Sequence, residues 1–147
     1  MIKEVYLAGP ITGLDYEAST NWRNLIAPKF SDHIKTLSPM RDKEYLKNKG
    51  ILKSNGLQVN VERAILFRDY NDVVKRANCL LVNFLGAKDI SIGTQWECAW
   101  SFTHQIPLVL VMEEKDNPND YPFLTQSAGW RVDNLDDAVT IINGILG

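Results

Sequence analysis

CLLVNFLGAKDISIGTQWECAWSFTHQIPLVLVM, running from Cys79 to Met112, is the stretch whose reading decides the fold. It opens on Cys79–Phe84, apolar except for Asn83, and closes on Ile106–Met112, apolar throughout. A strand with one face in water alternates polar and apolar side chains. A short run that is apolar on both faces belongs to a strand covered on both sides, as in a parallel sheet. Between the two runs, Gly93 or Thr94 starts a helical pattern that reaches about His104. Strand, helix, strand is the unit of a parallel α/β layer.

The same alternation extends outward. Val5–Ala8 reads as a buried strand ending at Gly9-Pro10. A helix follows from about Tyr16 to Leu25, with Ala18, Trp22, Leu25 and Ile26 on one face, and Pro28 ends it. Ile34–Leu37 reads as a second strand, stopped by Ser38-Pro39. The stretch from Met40 to Gly56 carries Lys43, Lys47, Lys49 and Lys53 with Gly50 and Gly56, and reads as a loop or short helix outside the core. A helix is expected from Val59 to Ala77, with Val61, Ile65, Val73, Val74 and Ala77 inward. After a polar loop from Glu113 to Asp120, a short strand is expected near Trp130-Arg131-Val132. A last helix begins at Asn134 as cap, with Asp136 and Asp137 where its dipole favours them. The expected fold is a doubly wound, flavodoxin-like parallel sheet of about five strands with helices on both faces, one domain over residues 1–147. Ligands of such folds bind beyond the carboxyl ends of the strands. That directs attention to the loops 9–16, 86–94 and 113–125.

Composition narrows the function. A net charge of -2 and a pI near 5.7 argue against a nucleic-acid binder, which would carry a basic face. Cys79 and Cys98 lie far apart in apolar surroundings, without CxxC spacing or a His/Cys cluster, and read as reduced core thiols with no metal site. The chain enters strand-like sequence at once, so no signal peptide is expected, and no apolar run reaches the length of a membrane span. A cytoplasmic location follows as the expectation. Gly9-Pro10-Ile11-Thr12-Gly13 follows a strand but is neither GxGxxG nor a P-loop. His33 and His104 are far apart, and His104 falls near a helix C-terminus, where positive charge is favoured.

Ser91-Ile92-Gly93-Thr94-Gln95-Trp96-Glu97 joins the best strand to a helix at the ligand-binding edge. Thr94-Gln95-Trp96-Glu97 fits a capping box, in which Glu97 reaches back to the cap amide. Placed in a first turn, the same carboxylate would be held ionised by the helix dipole, by about 0.3–1 kcal/mol. An ionised carboxylate is a nucleophile for an anomeric carbon.

These residues resemble the nucleoside 2-deoxyribosyltransferase family. The resemblance rests on Val5-Tyr6-Leu7-Ala8-Gly9-Pro10, on Leu37-Ser38-Pro39-Met40-Arg41, on Arg68-Asp69 and on Gly93-Thr94-x-x-Glu97, in that order along most of the chain. It implies Glu97 as the nucleophile that forms a deoxyribosyl ester, Asp69 as the acid that handles the proton of the base, and Tyr6 as the tyrosine that orients Glu97. Gly9, Pro10, Asp72, Asp89, Ser91, Gly93 and Thr94 become substrate-binding candidates. The partners implied are a nucleoside or nucleotide and a free nucleobase, with no metal or organic cofactor, no nucleic acid and no membrane. The family forms dimers or larger homo-oligomers in which a neighbouring subunit completes the site.

Three departures qualify the match. Asp72 follows Asp69 one turn on, on the same helical face, and the spacing from Asp69 to the next strand is one residue longer than in the family. Six residues before Glu97, where the transferases have an acid, this chain has Ser91, with Asp89 two residues earlier. A serine there resembles the related 2′-deoxynucleoside 5′-phosphate N-hydrolases, although Pro10 stands where those enzymes have a serine. The neighbour-subunit residue falls within Asn117–Ser127, a segment that also fits plain turn chemistry. Three functions follow: deoxyribosyl transfer between bases, hydrolysis of deoxynucleoside monophosphates, or non-catalytic nucleotide sensing. Trp96 and Trp100 read as core or subunit-interface residues, and Trp22 as either core or a cover for the base. The lysine-rich stretch reads as a solvated loop or as a lid for an anionic substrate.

Overall fold

The computed structural model describes residues 1–52 and 62–147. Lys53, Gly56, Val59 and Val61, which the hydropathy pattern places in the lysine-rich stretch and at the start of the second long helix, lie outside the described residues. Among the described residues, β1 (Lys3–Ala8), β2 (Ile34–Leu37), β3 (Cys79–Asn83), β4 (Leu108–Val111) and β5 (Trp130–Val132) form one sheet in the order β2-β1-β3-β4-β5. Every adjacent pair is parallel. This is the doubly wound, flavodoxin-like arrangement expected from the apolar runs.

Alternate residues of the strands feed two cores. Val5, Leu7, Cys79, Leu81, Val109 and Val111 pack with Ile26 of α1 (Tyr16–Ile26) and with Ala138, Val139 and Ile142 of α5 (Leu135–Leu146). Tyr6, Ala8, Leu80, Val82, Leu108 and Leu110 face the other way, toward Cys98 of α3 (Ile92–Thr103) and Leu124 of α4 (Pro122–Ser127). Caps start the outer helices: the Asp15 side chain accepts from the Ala18 amide at 2.7 Å, and Asn134 accepts from the Asp137 amide at 2.8 Å. None of the helices among the described residues is long and apolar enough to cross a membrane.

Four expectations are corrected. The buried face of α1 is Tyr16, Ser19, Thr20, Arg23 and Ile26, while Ala18 is exposed and Leu25 is 62% exposed. The helix turns its polar stripe inward because Arg23 has carbonyl partners there. The stretch beginning at Met40 is not outside the core: Met40, Lys43 and Leu52 are buried, and Met40 and Leu52 pack with Ile11 and Tyr16 in a third small cluster. Paired backbone bonds fasten it to the loop after β1, Gly13 N–H to Leu52 O at 2.9 Å and Leu52 N–H to Leu14 O at 2.8 Å. Gly13 permits this with φ +89°, a left-handed conformation that suits glycine. The long helix is not uniform. α2 (Glu62–Asn71) passes into a turn of π-helix over Asp72–Arg76, closed by the Ala77 N–H to Asp72 O bond of 2.9 Å. A π-turn holds one residue more than an α-turn, which lengthens the path from Asp69 to β3. The fourth is α4, a short helix with Pro122 in its first turn, where only loop was expected.

Strand order reverses between β1 and β3, whose ends lie side by side, Ala8 beside Val82. Here the backbones crowd. A Cβ on Gly9 would come within 2.9 Å of Asn83 O and 3.1 Å of the Trp22 ring, so only glycine fits.

Candidate active site

At that reversal, a cavity of about 590 Å³ opens between the loop after β1 and the start of α3. Gly9, Thr12 and Gly13 line one side; Asp89, Ser91, Gly93, Thr94 and Glu97 line the other. It continues into an apolar cleft of about 360 Å³, which shares Glu62, Ile65, Ile92, Gly93 and Glu97 and adds Asp69, Trp96 and Trp100. A third hollow of about 420 Å³, on the far side of Thr12 and Ser91, adds Pro10, Trp22 and Lys88. Glu97 and Asp69 therefore meet on one continuous wall.

Glu97 is buried, and its Oε1 accepts a hydrogen bond of 2.9 Å from the Tyr6 hydroxyl. Tyr6 reaches it because position 6 of β1 points to the α3 face of the sheet. The capping-box expectation fails. α3 starts at Ile92, one turn earlier than the pattern places it, with Ser91 as the N-cap residue. Ser91 Oγ lies 2.8 Å from Thr94 Oγ1, inside the helix. Glu97 is consequently in the second turn, beyond the region where the dipole helps most, and its side chain faces Tyr6. Burial raises its carboxyl to about 8; the charge of Asp69 adds to the rise, and the Tyr6 hydrogen bond, Arg23 and Lys43 oppose it. Burial thus favours the neutral carboxyl in an unliganded site, the reverse of the dipole expectation.

Asp69 is also buried and is raised to about 6, first by desolvation, with Lys43 and Arg68 opposing and Asp72 reinforcing. Two cations share the interior. Arg23 is 1% exposed, yet it is satisfied: Nε donates to Leu7 O at 3.0 Å, Nη2 to Gly9 O at 3.1 Å and Nη1 to Ser19 O. Its guanidinium lies over the Trp22 ring, 4.5 Å from the centroid. Desolvation lowers it to about 10, leaving it charged. Lys43, also 1% exposed, is lowered by desolvation to about 8, with Asp69 holding the charge on. Two buried acids with different proton affinities, beside a tyrosine and an open cavity, form a constellation suited to acid–base and nucleophilic chemistry.

Asp72 is turned elsewhere. It is 2% exposed and forms ion pairs with Arg41 at 2.6 Å and Arg76 at 3.2 Å, and Arg76 in turn pairs with Glu4 at 2.6 Å. The cavity walls described above include Asp69 but not Asp72. Expected among the substrate-binding candidates, Asp72 pairs instead with Arg41 and Arg76, neither of which lines those cavities. Asp89, Gly93, Thr94, Ser91 and Gly9 line the main cavity, and Pro10 lines the third hollow. Trp96 is 56% exposed and packs edge-on against Trp100, 6.1 Å between centroids.

The loop 113–125, expected at the ligand-binding edge, lines none of these cavities and supports the 86–91 loop from behind. Asn117 and Asn119 are buried. Asn117 Nδ2 donates to Phe84 O at 2.8 Å and to Glu113 Oε2 at 2.7 Å, and its Oδ1 accepts from the Asn119 amide. Asn119 Oδ1 accepts from the Ser91 amide at 2.8 Å, and its Nδ2 donates to Asp89 O at 3.0 Å. The 86–91 loop is thus held by two side chains whose sequence context, Asn-Pro-Asn-Asp, reads as a turn. Arg23, Lys43, Asn117 and Asn119 were not legible as site residues. Only Arg23 carried a signal, falling seven residues after Tyr16 and three before Ile26 on the inner stripe of α1.

No model of a known protein family matches the chain, and no curated protein sequence matches it. Solved structures do resemble it. A conserved protein from Enterococcus faecalis V583 superposes with a TM-score of 0.68 at 16% identity, over 98% of this chain and 99% of that one. A 2-deoxyribosyltransferase from Bacillus psychrosaccharolyticus gives 0.66 at 14% identity, over 92% and 90%. A molybdenum cofactor binding protein from Rippkaea orientalis gives 0.60 at 13% identity, over 100% and 99%. At these identities the likeness is one of fold.

Proposed function

We propose that this cleft breaks and re-forms the N-glycosidic bond of 2′-deoxynucleosides, with Glu97 as nucleophile. The observation that carries the reading is the buried Tyr6–Glu97 hydrogen bond at the wall of an open cavity that also holds Asp69. Tyr6 occupies Oε1, leaving Oε2 for the sugar. The C1′–N bond breaks as the C1′–Oε2 bond forms, and the departing base takes a proton from Asp69. An incoming base then reverses the sequence and returns its proton to Asp69. Each transfer inverts at C1′, so the product retains configuration. The positive charge that develops on the sugar lies beside a carboxylate, which stabilises it.

Glu97 must give up its proton to attack, and Asp69 is the neighbouring receiver. One proton shared by the pair serves both needs: on Glu97 in the empty site, on Asp69 when the base departs. Such a pair titrates as a unit. The fold likeness to a 2-deoxyribosyltransferase supports this reading, as do the family-like segments around Tyr6 and Glu97. The exposed apolar rim of Leu66, Ile92 and Trp96 around the Asp69 cleft supports a second copy of the chain as the group that closes it.

Thymidine incubated with adenine should yield deoxyadenosine by chromatography. Glu97→Ala should lose at least about 10⁴-fold in rate, the scale seen when a nucleophile is removed. Full turnover by that variant ends the proposal. Mass spectrometry after incubation with a 2-fluoro-2-deoxynucleoside should find the sugar on Glu97.

One observation favours a second reading, hydrolysis of 5′-monophosphates. Ser91 lines both the main cavity and the neighbouring hollow that holds Lys88. Release of free base from thymidine 5′-monophosphate but not from thymidine would select it.

A further inference from the structure

Asn83 is the polar residue that interrupts the apolar run of β3. Strand alternation turns its side chain to the same side as Leu81, toward α1. It is 8% exposed and lines the hollow of about 420 Å³ beside the main cavity. Oδ1 accepts from the Leu85 amide at 3.0 Å, which fixes Nδ2 as the other end of the carboxamide. Among the described residues, Nδ2 has no hydrogen-bond partner. Folded proteins pair nearly all their buried polar groups, so an idle buried donor at a cavity wall points to a ligand with an acceptor.

The remaining walls narrow the choice. Pro10, Leu14, Ala18 and Leu85 supply apolar surface, and Trp22 an aromatic one. The Arg23 guanidinium covers the Trp22 ring, 4.5 Å from its centroid, and is itself anchored to the Leu7, Gly9 and Ser19 carbonyls. The ring is thereby held in place, which spares a ligand the cost of ordering it. Lys88 and Asp89 are the only charged side chains among the described residues of this lining, and their signs cancel. The hollow therefore suits a neutral ligand better than an anion.

We propose that this hollow is a second binding site, for a free nucleobase: a neutral planar ring that packs against Trp22 and accepts a hydrogen bond from Asn83 Nδ2. It is distinct from the apolar cleft beside Asp69, Trp96 and Trp100, none of which lines it. Thr12, Asp89 and Ser91 line both the hollow and the main cavity, so a base seated in one touches the walls of the other. The choice of a nucleobase among planar heterocycles rests on the glycosidic reading above, whose reaction releases one; the site itself does not.

Adenine would be titrated into the ¹⁵N-labelled full chain and followed by NMR, the Asn83 side-chain amide being assigned by its loss in Asn83→Asp. That amide should shift saturably, with Overhauser contacts from the adenine ring protons to Trp22. Asn83→Asp keeps an acceptor for the Leu85 amide and removes the donor; adenine affinity read at Trp22 should fall about tenfold, the worth of one hydrogen bond. Ala18→Met, at an exposed position of α1 that lines the hollow, fills the space and should abolish the Trp22 contacts, which keeps the test decisive if Asn83→Asp does not fold. Adenine contacts confined to Trp96 and Trp100, or contacts to Trp22 undiminished in both variants, overturn the proposal. So does an Asn83 amide that moves with thymidine 5′-monophosphate or inorganic phosphate and not with adenine, which would give the hollow to the monophosphate reading. A chain that binds adenine here yet exchanges no bases between nucleosides keeps this site and loses the proposed function.

Discussion

The two walls of the cleft are built on different principles. The α3 wall, Asp89 to Glu97, is positioned mainly by neutral amides: Asn119 holds the Ser91 amide and the Asp89 carbonyl and Asn117 the Phe84 carbonyl, with the Glu113 carboxylate accepting from the Gly86 amide at 2.6 Å. The opposite wall, the loop after β1, is backed by buried charge: Arg23 of α1 donates to three carbonyls, those of Leu7, Gly9 and Ser19. Neutral bracing fixes geometry and responds little to pH. Charged bracing fixes geometry and proton affinity together, so its loss should be visible in both. Glu97, on the α3 wall, accepts from Tyr6 of β1 and so registers both.

The largest expected effect on stability breaks the charged wall. Arg23→Met removes three hydrogen bonds to the ends of β1 and α1 and should destabilise the fold by about 3 kcal/mol, the sum of a few charge-assisted bonds less the recovered desolvation. Chemical denaturation would measure it. A cost of no more than about 1–2 kcal/mol would make the two walls equivalent.

Next comes the Glu97 carboxyl, which joins the two. The Glu97 carboxyl is raised from its ordinary value to about 8 in the folded chain. Between those values the native state binds more protons than the unfolded one, so stability contributed at this position is intact at low pH and falls as pH rises toward 8. Glu97→Gln keeps the acceptor for Tyr6 and should leave stability unchanged near pH 4.5. At pH 9 it should exceed wild type by about 2 kcal/mol. The gain is smaller than the full shift implies, since Asp69 ionises at lower pH and part of the coupling is shared. Thermal melts at the two pH values test this, and equal differences at both would refute it.

The smallest effect belongs to the neutral wall. Asn119→Ala leaves the Ser91 amide and the Asp89 carbonyl without their partner and should cost about 1–2 kcal/mol, with no change in the midpoint of the acid limb of kcat/KM. A shifted limb would mean that the amide scaffold also tunes charge.

The same contrast explains what the sequence disclosed. The three central strands were legible because Val5–Ala8, Cys79–Phe84 and Ile106–Met112 are apolar on both faces, a pattern with few other structural meanings. Tyr6 and Glu97 were legible through their family-like segments, and the hydrogen bond joining them is a matter of strand phase. Arg23, Lys43 and the two asparagines were not. A buried polar residue is recognised by its partners, and partners distant in sequence leave no periodic trace: Arg23 binds carbonyls 14 and 16 residues away, and Asn119 reaches back 28 and 30. Hydropathy counts all of these as surface. The capping box misled for a related reason. Thr94 and Glu97 have the right spacing, but Ser91 sits one turn earlier and starts the helix first.

The widened turn at Asp72–Arg76 has a consequence for how this architecture tolerates changes in length. An added residue in a regular helix would rotate everything beyond it by about 100° and carry either Asp69 or the strand out of alignment. Here the slack is confined to one loop of backbone, sealed by the Ala77–Asp72 bond and clasped by Arg41 and Arg76. It works like an expansion joint between two fixed spans, letting the helix and the strand keep their separate registers.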